Sequence, residues 1–96
     1  MDDGAVVGPE IEPLIGRQVV VDVQAPYLYI GTLEKVGADA VVLSNADVHA
    51  FRDSQTTTEL YLLETKKNGI RPNRAVVHVM RSVVVSISRL DDVILY

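Results

Sequence analysis

The chain has 96 residues, 48% of them hydrophobic and 23% charged, with a formal net charge of -4. That size and apolar share describe one folded domain, small enough that oligomerisation is a natural source of extra stability. The absence of cysteine excludes a disulfide framework and a thiolate metal site, no apolar run reaches the roughly 18 residues of a membrane helix, and the acidic balance argues against duplex DNA as a partner.

Residues 1 to 8 carry no periodic signal and read as a disordered arm. Their acidic start, Met1-Asp2-Asp3-Gly4, lacks the basic region of a secretory signal. A cytoplasmic protein is the default expectation. Pro9 to Ile15 predicts a short helical turn with Ile11, Leu14 and Ile15 on one face, held short by Pro13 and ended by Gly16. Arg17 to Val23 reads as a strand, with Val19, Val21 and Val23 on one face and Gln18, Val20 and Asp22 on the other. After the Ala25-Pro26 turn, Tyr27 to Val36 is a second strand, and Gly31 in its interior predicts a sharp bend or a close backbone approach. Gly37-Ala38-Asp39 is the next turn and Ala40 to Ser44 the third strand, which completes an antiparallel meander.

The middle of the chain changes character. Asp53 to Thr58 offers several N-cap residues ahead of Glu59 to Lys67, with acid at the start, lysines at the end and Asn68-Gly69 as a stop. The consecutive apolar residues Leu60 to Leu63 also suit a strand; the caps favour the helix. Ala75 to Met80 and Val83 to Ser88 are the last two strands, followed by a tail whose apolar end should pack against something.

Two stretches, Tyr29-Ile30-Gly31-Thr32-Leu33 through Asp39 to Leu43 and Val79-Met80-Arg81-Ser82, resemble the two short signatures of Sm-like proteins, in a divergent, bacterial-type form. The resemblance covers roughly residues 11 to 88 and implies an all-β fold. The implied fold is a small, strongly bent, five-stranded Sm-like (SH3-like) barrel with a short N-terminal helical turn and a helix inserted before the fourth strand. It places a single domain over 9–96, with the insert at about 56–68. It also implies a homo-oligomeric ring closed by pairing the fourth strand of one subunit with the fifth of the next, burying Val77, Val79, Val83, Val84 and Val85. Such pairing removes the aggregation hazard of an open apolar edge.

In that family the pocket for a uridine-like base uses an asparagine in the first signature and an Arg-Gly pair in the second. Here Ala40 stands in place of the asparagine, Asp39 matches the family aspartate loosely, and Ser82 replaces the glycine beside Arg81. Alanine offers no hydrogen bond to a base edge, whereas Arg81 retains the means to stack on a base or pair with phosphate. Asp39, Arg81 and Ser82 are therefore the RNA-binding candidates implied by the resemblance. Two functions follow from it. One is a ring that binds single-stranded RNA weakly; the other is an assembly or protein-interaction module that has lost the base pocket.

Five of the nine basic residues lie between Lys66 and Arg81, which admits a basic rim, although lysines near a helix C-terminus also have a structural reason to be there. His49 near Asp47 and Asp53 makes a loose metal grouping that lacks the spacing of a third or fourth ligand. His78, inside a valine strand, is expected to be half-buried at an interface. Ser54, Ser82, Ser86 and Ser88 have no nucleophile-elbow setting, and no phosphate-binding glycine loop is present. Neither an enzyme nor a cofactor is expected.

Overall fold

The computed structural model describes residues 8–51 and 57–94. The expected N-terminal arm, apart from Gly8, lies outside them, as do Asp53 and Ser54. Five strands run Gln18–Val23 (β1), Tyr27–Val36 (β2), Ala40–Ala50 (β3), Arg74–Met80 (β4) and Val84–Arg89 (β5), with a helix Thr58–Asn68 (α1) before β4. All four ladders are antiparallel and the sheet order is β4-β3-β2-β1-β5. Among the described residues no helix is long and apolar enough to cross a membrane.

The sheet curls round one core. Val19, Val21, Leu33, Val36, Val41, Leu43, Ala46 and Val79 form a buried cluster, against which Val77 of β4 and Val84 and Ile87 of β5 also pack. Residues from both sheet edges meet in this cluster, which is the geometry of a strongly bent barrel. The bend in β2 falls where glycine predicts it. A Cβ on Gly31 would lie 3.0 Å from Ala46 Cα, Ala46 Cβ and Ser44 O. The β2–β3 register slips between Ile30 and Thr32, and Asn45 opposite takes a positive φ of 47°. A bulge of this kind bends and twists the pair.

The N-terminal turn is a single 3-10 turn over Glu12–Leu14. Ile11 and Leu14 pack on the main core, three residues apart as a 3-10 turn aligns them. Ile15 does not join them: its backbone is already extended and it is 40% exposed. Gly16 then turns the chain at φ +87°.

The outer face of the sheet carries a second cluster of Val20, Leu28, Ile30 and Leu90, covered by Tyr61, Leu62, Phe51, Ile70 and Val93. This explains why Val19, Val20 and Val21 are all buried despite pointing alternately to opposite faces. The insert is helical, as its caps predict: Thr57 Oγ1 accepts from Leu60 N–H at 3.1 Å, and Gly69 N–H donates to Thr65 O at 2.8 Å. Lys66 does not face outward as part of a rim. Its ammonium donates to the carbonyls of Asp91 and Val93, at 2.8 and 2.5 Å, and ties the helix to the C-terminal 3-10 turn Leu90–Asp92.

β3 continues past Ser44 to Ala50, six residues beyond the expected end. The extension is held from outside the ladder. Asn73 N–H donates to Ala46 O at 2.8 Å. The Asn73 side-chain amide accepts from Val48 N–H at 3.0 Å and donates to Val48 O at 3.1 Å, so it stands in for one more residue of β4. Asp47, 5% exposed, accepts from the Tyr61 hydroxyl and from Asn73 Nδ2, while His49 stacks on the Tyr61 ring at 3.9 Å. This polar contact docks α1 on β3. Burial, and then the hydrogen bond to the Asp47 carboxylate, push the Tyr61 phenol well above its usual range.

Two outcomes follow from this packing. Gly31→Ala should destabilise the fold by about 1–3 kcal/mol by forcing a methyl group into a filled space; an unchanged thermal midpoint would show that the bend does not need glycine. Tyr61 stays protonated in the native state at a pH where the unfolded phenol, with a pKa of about 10, ionises. Its stabilising contribution is therefore complete below about pH 10 and declines above it. Denaturant unfolding between about pH 8 and pH 11 should show a steeper alkaline loss in the wild type than in Tyr61→Phe, and parallel curves would refute the assignment.

Candidate nucleic-acid interface

The turn after β2 and the turn after β4 lie side by side. β4 pairs with β3 from Ala46↔Arg74 to Ala40↔Met80, so Arg81 emerges beside Gly37-Ala38-Asp39. Its backbone N–H donates to Asp39 O at 2.9 Å, and its Nη1 donates to Gly37 O at 3.0 Å. Arg81, Ser82 and Val83 then form one 3-10 turn leading into β5. Asp39, Arg81 and Ser82 are brought together and all are exposed. A guanidinium carries five N–H donors, and the bond to Gly37 fixes its position while leaving most of them directed at solvent. Ala40, where the Sm-like signature has asparagine, sits opposite Met80 in the ladder and presents only a methyl group.

An arginine anchored in this way can pair with a phosphate or lie flat against a base. Beside it, Lys35, Gly37, Ala38, Asp39, Ala40, Val42 and His78 line a depression of about 400 Å³ on the outer face of β2, β3 and β4. Lys35 pairs with Val42, and Val42 with His78, so the three stand in one row across three strands. In the single chain His78 is exposed: Val77 and Val79 turn inward, and the alternation sends His78 to the outer face.

The basic residues that are close in sequence are not close in space. Arg71 and Arg74 lie at the start of β4 and Arg81 beyond its end, separated by the length of a seven-residue strand, about 20 Å at roughly 3.3 Å per residue. With Lys66 bound to the C-terminal turn, no continuous basic rim forms from this cluster. Asp47 and His49 serve the helix dock, and Asp53, the remaining member of that grouping, is outside the described residues. Among the described residues no group of three or more metal-ligating side chains converges.

β4 and β5 occupy the two edges of the sheet. Val79 is 2% exposed and contributes its side chain to the core, while Val77 and Val84 are half-buried against it. Val83 and Val85 are exposed at 36% and 62%, and Val76 and Met80, which the sequence reading left out, at 55% and 49%.

No protein-family model and no curated protein matches the chain. Solved structures do. The Sm protein of Pyrococcus abyssii, determined in complex with a uridine heptamer, superposes with a TM-score of 0.58 at 16% identity, covering 86% of this chain and 99% of that one. A chain of the NatC complex bound to CoA superposes with a TM-score of 0.53 at 18% identity, covering 82% of each. At such identities the likeness is one of architecture, and the architecture is Sm-like.

Proposed function

We propose that this protein is a ring-forming Sm-like module that binds single-stranded RNA weakly, through the paired turns that carry Asp39, Arg81 and Ser82. One observation carries the reading. Arg81 is anchored by two hydrogen bonds to the β2–β3 turn, with its guanidinium exposed where a strand can reach it. The Sm protein of similar fold was solved with a uridine heptamer, which supports a uridine-rich strand as the first ligand to test. Affinity should be modest, because Ala40 offers no base contact and the net charge of -4 repels phosphate at a distance.

The two edges of the sheet support the same reading. Each subunit has two open edges with outward apolar side chains, Val76 and Met80 on β4 and Val85 on β5. Head-to-tail pairing of β4 with the β5 of a second copy would satisfy the free backbone groups and cover those side chains at once. The second reading is a module that assembles with itself or other proteins and no longer binds RNA. It is favoured by Ala40 and by the likeness to a chain of the NatC complex.

Light scattering with size exclusion should give a multiple of the monomer mass, and Val85→Lys, which charges an exposed edge position, should lower it. A monomer at micromolar concentration overturns the ring. A uridine-rich single strand should bind better than duplex DNA, with affinity that falls as salt rises because phosphate contacts release counterions. Arg81→Ala should weaken it by about tenfold, the scale of one stacked base or one charge-assisted contact. Binding that is absent at low salt, or indifferent to Arg81→Ala, would leave the assembly module as the function.

A further inference from the structure

The insert shields only part of the outer face of the sheet. Helix α1 covers Val20, Leu28 and Ile30. Towards the Arg81 turn the same face is uncovered and holds the depression lined by Lys35, Ala38, Asp39, Ala40, Val42 and His78. We propose that this depression is a subsite for one guanine nucleotide of the bound strand, an inference that rests on the RNA-binding reading above.

The lining has three parts, and each fits a different part of a nucleotide. Ala38, Ala40 and Val42 make a floor of small apolar groups, on which a flat ring can lie without losing a hydrogen bond. His78 and Lys35 stand on either side of Val42, in register across three strands. Two strand spacings of roughly 4.8 Å separate them by about 10 Å, close to the span of one nucleotide. The His78 imidazole provides a π-face for stacking, and the Lys35 ammonium a charge for the phosphate.

Asp39 selects the base. A carboxylate accepts hydrogen bonds and donates none. Guanine presents adjacent N1–H and N2–H donors, one for each carboxylate oxygen. Uracil presents a single N3–H and so can satisfy only one of the two carboxylate oxygens. The site is also placed to work beside the first one. Asp39 O accepts from Arg81 N–H, so the carboxylate of the subsite and the guanidinium of the first site sit on adjacent, hydrogen-bonded turns, and consecutive nucleotides of a strand can occupy both.

The test compares a short uridine strand with the same strand carrying one guanosine, and with free GMP, on isotope-labelled protein. The guanosine strand should bind about tenfold more tightly, the scale of one stacked base. It should also move the Val42 amide and His78 imidazole resonances, which the uridine strand should leave nearly in place. GMP should move the same resonances at higher concentration. Asp39→Asn should abolish the preference and His78→Ala should reduce it; both replace exposed side chains, and the remaining amide resonances report that the fold is kept. Equal affinities for the two strands, or unmoved Val42 and His78 resonances, would overturn the subsite while Arg81-dependent uridine binding kept the RNA reading standing. Movement of Val42 and His78 with GMP alone, and no binding of either strand, would keep the nucleotide site and overturn the RNA reading. Silence towards all three ligands would overturn both.

Discussion

The close approach of Gly31 to Ala46 and the Ser44 carbonyl is the contact on which the rest of the molecule depends. β2 and β3 have 10 and 11 residues, long for strands in so small a domain. A flat hairpin of that length could not bring Val79 at one edge and Ile87 at the other into a single cluster. The missing side chain at position 31 lets the pair fold sharply over Ala46, and the slipped register and the left-handed Asn45 absorb the change of direction. The curl of the sheet follows from this.

The bend also divides the outer face between two duties. Beyond it, towards Tyr27 and Ala50, the face is apolar and accepts α1, locked by the buried Asp47 and its two donors Tyr61 and Asn73. Before it, towards the Gly37-Ala38-Asp39 turn, the face is mixed and open. A buried carboxylate is costly unless its lone pairs are used. Here both oxygens have partners, one from the helix and one from the connector to β4. The insert thereby closes one half of a sheet that would otherwise show Leu28 and Ile30 to water.

The strands could be read from the alternation of valines, and the helix from Thr57 and Gly69 at its ends, because those signals are local. The length of β3 could not. Asp47 and His49 look like the polar end of a strand, and what keeps them in the sheet is Asn73 and Tyr61, 26 and 14 residues away. Ile15 misled through the choice of period, since a 3-10 turn aligns residues three apart and not four. For the basic residues from Lys66 to Arg81 both a rim and a structural role stay open on the sequence, because the strand that separates them in space is not a local signal. Arg81 and Asp39 were singled out by resemblance alone. The row of Lys35, Val42 and His78 needed the strand register, which no sequence pattern of 96 residues contained.

β4 and β5 stand at opposite edges of the sheet, yet only Arg81, Ser82 and Val83 join them. So short a tether forces the two margins together at one corner, where Met80 faces Ala40 and Val84 faces Val23. That corner behaves as the clasp of a rolled sheet. Arg81 is the first of those three residues, so the segment that closes the roll is also the one that carries the anchored guanidinium.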